Sequence, residues 1–496
     1  VSALEPDPTT WQRLDRRMLL VHPLRELLRF LPFVLGLLVF GSTTDGPVWL
    51  RWELLGVAVP VVLGLLRYLT TSYRILDGRV ELRRGLLQRH VLTAQLDRVR
   101  TVDTTATLLQ RLLGLASVKI GTGSAEQDLD LDGLRATRSR ALRAELLRES
   151  TETPPAVEQG ELVVPAPAPP PTSRTVLQLD PSWARYAPLT GTGLLIAGTL
   201  IGVWTQLPGP LRLDPSGLAS SGLGGPLLAL VGMVALAVVV SGLAVGGYLV
   251  NNWGLVLRHE ATPTGGTWHL SRGLTTTRET SADDERVAGV SMTEPLGLRL
   301  AGAARLESIV TGLSGEGQSA MELSPPAPRT VVAGVAGEVL GRPAPPTVAL
   351  VRHGAAAVRR RWTRAVLPPL VLGAGCVALV LTGTTGAWPL VPAVIAPLLG
   401  VLLAVDRSRA LGHALVEGHL VARSGSLLRR RDMLDTTHVI GWNLTATWFQ
   451  RRAGLTTLVA TTAGGRQSVR LLDLPEARAV QLADAAVPGL LAQFRH

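Results

Sequence analysis

Cysteine and lysine are almost absent from this chain of 496 residues, and aromatic residues make up only 4% of it. The lone cysteine, Cys376, lies inside an apolar run, which excludes an internal disulfide framework and a cysteine-based metal site. Lys119 is the one lysine among 49 basic residues; with abundant Ala, Gly and Pro, this reads as a GC-rich coding bias and not as a functional choice of arginine. Catalytic spacings are missing as well. The nine histidines form no His-x-x-x-His or His-Glu-x-x-His, and neither Gly121-Thr122-Gly123 nor Gly191-Thr192-Gly193 is followed by the Lys-Ser/Thr of a phosphate loop. Asp283-Asp284-Glu285 lacks EF-hand spacing and reads as a solvated turn. His413 and His419 read as surface residues on either side of a hairpin turn. No cleavable signal peptide is evident, because the first apolar run lies too far in and lacks an Ala-x-Ala exit. These absences argue against an enzyme, a cofactor, a metal and a nucleic-acid partner.

What the chain does contain is one signature three times. Asp77-Gly78-Arg79-Val80-Glu81-Leu82-Arg83-Arg84-Gly85 is followed by Gln110-Arg111-Leu112-Leu113-Gly114-Leu115. A shift of 340 residues places Gly85, Gln110, Arg111 and Gly114 on Gly425, Gln450, Arg451 and Gly454 without a gap. A shift of 188 places Gly85, Arg111 and Gly114 on Gly273, Arg299 and Gly302. This period is too long for a solenoid, so the repeat is a whole module, an apolar hairpin followed by a polar domain.

The apolar hairpins read as six membrane spans. The runs 187–207, 226–250, 365–384 and 387–405 carry no charge and are long enough to cross about 30 Å of hydrocarbon. The first hairpin, 30–42 and 54–66, is shorter, and its flanking charges must snorkel. Arginines gather before the first and fifth spans and after the sixth, while the loops inside the hairpins have few, so both termini and all polar domains are expected in the cytoplasm of a multi-pass cell-membrane protein. Trp49, Trp52, Trp204, Trp253, Trp362 and Trp388 stand at or near span ends, as an aromatic belt would require. Gly198-x-x-x-Gly202 and Gly242-x-x-x-Gly246 are candidate helix-packing sites. The expected order is an N-terminal segment 1–24, hairpin 25–68, domain 69–150, Pro-rich linker 151–185, hairpin 186–250, degenerate domain 251–342, Pro/Arg-rich linker 343–364, hairpin 365–405 and domain 406–496.

Each polar domain reads as an antiparallel sheet closed by a C-terminal helix. Asp77-Gly78 and Glu417-Gly418 suit two-residue hairpin turns, and Gly265-Gly266 falls at the same place in the second copy. Terminal helices are expected over 134–148 and 476–494, the latter with Asp473 as N-cap. The stretches 153–173 and 324–346, with seven and six prolines, read as solvated spacers.

The run from Tyr73 to Gly123, with its Asp-Gly turn, Gly85-Leu86-Leu87, Asp97-Arg98-Val99-Arg100-Thr101-Val102-Asp103 and Leu108-Leu109-Gln110-Arg111-Leu112-Leu113-Gly114-Leu115, resembles the bacterial pleckstrin-homology (PH) domain of YdbS/YdbT-like membrane proteins. The third copy is similar to it and the second departs, lacking the tyrosine and the Gln before Arg299. The resemblance implies three PH-like α+β domains after paired transmembrane helices and no established enzymatic activity. It also implies a protein partner, with a smaller protein of the same family as one candidate.

Two sets of residues stand out. Gly85, Arg111, Gly114, Gly273, Arg299, Gly302, Gly425, Arg451 and Gly454 read as fold-defining: each arginine pairs a carboxylate or caps carbonyls, and the following glycine stops a short helix. Charge separates the domains. Residues 69–150 hold 14 basic and 10 acidic residues, 406–496 hold 12 and 7, and 251–342 hold 8 and 10. Arg83, Arg84, Arg89, Arg429, Arg430 and Arg431 are therefore candidate contacts to anionic lipid headgroups. The expectation is a non-enzymatic scaffold at the inner leaflet, with a subunit of a transporter or envelope-stress/export complex as the alternative.

Overall fold

The computed structural model describes residues 11–21, 24, 62, 65–66, 68–76, 79–84, 90–95, 101–121, 129–139, 172–206, 225–262, 265–311, 321–383, 386–463 and 468–489. The first copy supplies β1 (Gln12–Arg13), β2 (Ser72–Leu76), β3 (Arg79–Arg84), β4 (His90–Gln95), β5 (Thr101–Thr107), α1 (Leu108–Leu112), β6 (Leu115–Gly121) and β7 (Leu129–Arg135). The second supplies β8 (Thr172–Gln178), a 3-10 helix (Pro181–Leu189), α2 (Gly191–Gln206), α3 (Gly225–Asn252), β9 (Val256–Thr262), β10 (Gly265–Arg272), β11 (Thr276–Asp283), β12 (Val287–Pro295), α4 (Leu296–Leu300), β13 (Ala303–Val310), β14 (Glu322–Pro328) and α5 (Arg329–Val339). The third supplies α6 (Ala344–Thr347), α7 (Ala355–Leu381), α8 (Leu390–Ala410), β15 (Gly412–Val416), β16 (His419–Gly425), β17 (Leu428–Asp435), β18 (Gly441–Thr445), α9 (Trp448–Arg452), β19 (Leu455–Thr461), β20 (Ser468–Pro475) and α10 (Glu476–Ala486).

The chain divides into two units, and the copies are not self-contained domains. In the first unit β1-β2-β3-β4 form one sheet, and six strands of a larger sheet run in the order β7-β6-β5-β11-β10-β9. In the second unit the order is β14-β13-β12-β17-β16-β15, with a separate sheet β18-β19-β20. The second copy is thus divided: β9–β11 continue the sheet of the first copy, and β12–β14 continue that of the third. The sequence repeat shows the copies but not this exchange, because hydrophobic alternation fixes which face of a strand is buried and not which neighbour it pairs with.

Each unit has its own core. In the first, Val80 and Leu82 pack with Leu115, Val118, Leu129 and Leu131. Leu14, Met18 and Val21 join them, so the N-terminal segment expected to precede the domain is part of its core. In the second, Leu420, Leu434, Leu458, Leu471, Leu474, Ala479 and Ala483 pack with Ala288 and Ile309 of the second copy.

Several boundaries are corrected. The Pro-rich stretch 324–346 is not a solvated spacer: β14 covers Ser324-Pro325-Pro326-Ala327 with buried residues, and Pro345 and Pro346 of α6 are buried too. As the outer strand of its sheet, β14 is paired on one side only, so its prolines forfeit few ladder bonds. The linker expected at 343–364 holds α6, the start of α7 and the buried His353. The 153–173 stretch lies outside the described residues except for its last two positions. The second copy also ends in a helix, α5, while the first begins its helix after Arg135 and not at Leu134, which lies in β7. Asp473 is not a helix N-cap. It sits inside β20 with φ +57°, and α10 ends at Ala486. Gly265 and Gly266 do not form a turn; they open β10 opposite Thr262 and Ala261.

The membrane reading is also narrowed. Among the described residues, three helices are long and apolar enough to cross a membrane: Leu230–Asn252, Ala355–Leu381 and Leu390–Ala410. The run expected as the third span is shorter, since Ala187 belongs to a 3-10 helix and α2 has 16 residues. The first hairpin lies largely outside the described residues. Among the described residues, a Cβ added at Gly198, Gly242 or Gly246 would meet nothing within 4 Å, so these positions show no close helix packing there. Close approach occurs instead at Gly373 and Gly400, where a Cβ would stand 2.9 Å from the Ala393 carbonyl and 2.7 Å from that of Ala365. Pro397 and Pro369 pack against these two glycines across α7 and α8.

Gly114, Gly302 and Gly454 follow the three short helices with φ of +70°, +68° and +65°, in keeping with their repeated spacing. Gly273 and Gly425 take φ of +111° and +104°, and a Cβ on either would lie 2.0 Å from the carbonyl oxygen of Thr276 or Leu428. Gly85 lies outside the described residues. Gly454 by contrast faces open space. Gly425→Ala should therefore cost about 1–3 kcal/mol and Gly454→Ala only about 1. Thermal melting of the detergent-solubilised chain checks this order; equal losses would mean that the carbonyl contact at Gly425 is relieved at no cost.

Candidate functional site at the module junctions

The two junctions between copies share one geometry. At the first, β5 pairs antiparallel with β11, placing Thr105 opposite Arg278 and Thr107 opposite Thr276. At the second, β12 pairs with β17, placing Thr293 opposite Arg430 and Pro295 opposite Leu428. Thr105 and Thr293 are equivalent positions of the repeat, as are Arg278 and Arg430, so the register is the same. Beside each junction the repeat arginine crosses to the next copy. Arg111 donates from Nη1 to the carbonyl of Leu274 at 2.8 Å, and Arg299 from Nη1 to the carbonyl of Ser426 at 3.1 Å. Leu274 and Ser426 directly follow the two tight-turn glycines, Gly273 and Gly425. The arginine-and-glycine signature is thus a clasp between copies: a five-residue helix aims the arginine, and a turn only glycine fits presents the carbonyl. Arg451, the third member, is exposed on α9.

Beneath two of the short helices lies a buried polar network. Thr107 caps α1 in a capping box with Gln110, and Thr447 does the same for α9 with Gln450. Gln110 Nε2 donates to Ser117 Oγ and Asp132 Oδ1, both at 3.0 Å; Gln450 Nε2 donates to Thr457 Oγ1 and Asp473 Oδ1, both at 2.9 Å. The middle copy has Pro295 as N-cap with no side-chain bond, and the buried Leu298 stands where the glutamine would be. An apolar residue there leaves no amide to satisfy.

The third copy extends this network to the apolar helices. Asp473 is fully buried; it accepts from Arg360 and forms an ion pair with Arg361 at 2.6 Å, both on α7. Asp406 near the end of α8 pairs with Arg299 at 3.0 Å and Arg429 at 2.9 Å. Two carboxylates therefore tie both helices of the third hairpin to the strands. Sequence reasoning missed both ion-pair roles, because the partners are distant in the chain: Arg360 lies 113 residues before Asp473, and Arg299 lies 107 before Asp406.

The residues expected to touch lipid headgroups are placed differently. Arg429 is held by Asp406, and Arg430 lies 3.8 Å from Glu307. Arg431 is buried and donates to the carbonyls of Pro346 and Val348. Burial pushes Arg431 down to about 10 and also lowers Arg423 and Arg429. This triplet is thus spent inside the fold, since β17 is a central strand with a neighbour on each side. Arg83 lies over the Trp11 ring at 5.7 Å. Arg89 and the Arg84 side chain lie outside the described residues. Arg431 also lines an open groove with Arg329, Glu338 and Arg342, but its two Nη groups already donate to the two carbonyls, and Arg329 pairs with Glu294.

His413 and His419 are buried, not at the surface. The turn between β15 and β16 is itself exposed, with Glu417 and Gly418 both at positive φ, and the two histidines lie on the strands beside it. His413 packs on His353 with ring centroids 5.0 Å apart, and His353 Nδ1 bonds the Leu472 carbonyl at 2.8 Å. Burial, helped by the neighbouring His353, pushes His413 down to about 4, and burial lowers His353. In the second copy His259 pairs with Asp284 at 2.9 Å, which uses part of the acidic triplet expected to be a solvated turn.

Two outcomes follow. Asp473→Ala leaves two arginines without their buried carboxylate and should cost about 3–5 kcal/mol, whereas Ser117→Ala removes one bond from Gln110 and one to the Asp132 carboxylate and should cost about 2. A histidine whose folded pKa is depressed contributes fully above its unfolded value near 6.5 and loses that contribution as pH falls toward the folded value. The chain should therefore be less stable at pH 5 than at pH 8, by about 2 kcal/mol from His413 alone, and His413→Leu should flatten the dependence. Thermal melts of the solubilised variants at the two pH values measure both effects; an unchanged slope in His413→Leu would assign the acid sensitivity elsewhere.

Neither a curated protein nor a solved structure matches this chain. Residues 27–150 and 367–484 match the family model of the bacterial PH domain, which covers the first and third copies and leaves the divided middle copy unmatched.

Proposed function

We propose that the chain is a non-enzymatic, multi-pass membrane scaffold that presents three PH-like modules on the cytoplasmic side as an array for docking other proteins. The observation that carries this reading is the pair of clasped junctions: the repeat residues are used to fix one module to the next, and the polar groups beneath them satisfy one another. That arrangement suits a protein whose repeat residues hold neighbouring strands together and leave its outer surfaces for docking. Two bacterial PH matches and three helices with the length and apolarity to span support placement at a membrane. Arginine asymmetry around the hairpins supports cytoplasmic domains. With Arg429–Arg431 engaged inside the fold, lipid contact is left to the first copy around Arg83.

In a Cys376→Ser background, Gly386→Cys should react with an impermeant maleimide added to intact cells, and Ser424→Cys only after permeabilisation. Labelling of Ser424→Cys in intact cells would reverse the orientation. Purified from native membranes, the intact chain should bring down a stoichiometric polypeptide that a chain lacking residues 69–150 does not. Substrate flux in proteoliposomes without such a polypeptide would favour the transporter subunit.

A further inference from the structure

Among the described residues, the repeat leaves one junction without a partner strand at each end. In the first two copies the strand before the short helix, β5 or β12, pairs with the third strand of the following copy's first half, β11 or β17. The third copy's equivalent, β18, has β19 on one side and forms the outer edge of its sheet. At the other end β4, equivalent to β11 and β17, is the outer strand of its own sheet. Burial reports the difference. Met292 in β12 is 1% exposed, while Leu444, its equivalent in β18, is 40% exposed. Ile440, at the start of the same edge, is 64% exposed, while its equivalent Ala288 is 0% exposed. An apolar strand edge left open is a template for another strand.

We infer that β18 and Arg451 of one chain form a docking edge for β4 of a second copy, repeating the internal junction between chains. The occupant is specified by the two junctions already present. Each joins this type of strand to this type of partner, in the same register and with the repeat arginine reaching a carbonyl just ahead of the incoming strand. Carrying that register to the third copy sets Thr445 opposite His90, Leu444 opposite Val91, Asn443 opposite Leu92 and Trp442 opposite Thr93. Val91 is 53% exposed, so the pair Leu444 and Val91 brings together two apolar side chains that each chain leaves in solvent. Arg451, exposed on α9, takes the place that Arg111 and Arg299 hold inside the chain. The association is strand addition through unlike surfaces, head to tail, so it extends an array or closes a ring. It is separable from docking of other proteins, which needs no second copy.

The test uses the full chain in its membrane and two tags. In a Cys376→Ser background, one tagged chain carries Leu444→Cys and a differently tagged chain carries Val91→Cys; a second pair carries Asn443→Cys and Leu92→Cys. Adjacent cross-strand pairs differ in spacing by about 1 Å, so one of the two pairs fits a disulfide best. After mild oxidation, a product bearing both tags is expected for at least one pair. Adding Arg451→Ala should lower its yield roughly fivefold, as loss of a bond of ordinary strength would. Adding Asn443→Pro to the Leu444→Cys chain should abolish it, because proline breaks the ladder. No doubly tagged product from either pair overturns the inference, and so does a product whose yield both added substitutions leave unchanged. A crosslink that forms only within a single chain carrying both cysteines would also overturn it, because β4 and β18 would then meet inside one molecule.

Discussion

Main-chain pairing between consecutive copies is the constraint on which the rest of this structure depends. The β12–β17 ladder runs over seven residue pairs, from Gly289 with Leu434 to Pro295 with Leu428. It buries a strand of one copy in the sheet of the next and so decides which side chains can be charged and where. Arg429 and Arg430 lie on the shared strand β17, and each has found a carboxylate. Arg299 does two things from one helix: it clasps the following turn and neutralises Asp406 at the foot of α8. An isolated ion pair of this kind adds little by itself, but a pair whose loss strands a buried charge fixes geometry firmly.

A second consequence concerns the apolar helices. Asp473 belongs to the same network as the capping-box glutamine, and its carboxylate reaches Arg360 and Arg361 on α7. A helix cap, a strand with a residue at positive φ and a helix of membrane-spanning length thus share one buried acid. The first copy has the cap and the acid, Asp132, bonded to Gln110. Its N-terminal segment reaches the same region by another route, with Arg17 donating to the Leu113 carbonyl at 2.7 Å. The segments ahead of the first and third hairpins are therefore structural members of the domains and not spacers between them.

Much of this was legible in the sequence. The threefold repeat, the three short helices with their glycine stops, the Glu417-Gly418 turn and the antiparallel strands follow from local spacing and from the backbone freedom of glycine. A structural role for the repeat arginine was legible too, since Arg111 does cap a carbonyl and Arg299 does both that and pair a carboxylate. What was not legible depends on long-range pairing. Proline-rich 324–346 looked solvated because composition carries no information about an outer strand that tolerates missing donors. Arg429–Arg431 looked like a surface cluster because a run of charge gives no sign of the distant carboxylates and carbonyls that absorb it. His413 looked exposed because its ring partner, His353, lies on the far side of an entire hairpin.

The divided middle copy has a consequence for how such a chain can change length. Because it offers its neighbours the same two edges that they offer each other, removing it would bring β5 directly against β17 with a matching register and a matching arginine. Inserting another copy would likewise create no surface that the chain does not already contain. Gene duplication can therefore lengthen or shorten the array one unit at a time without inventing an interface. A copy in the interior, relieved of having to close a domain on its own, is free to lose features such as the capping box, as this one has at Pro295 and Leu298.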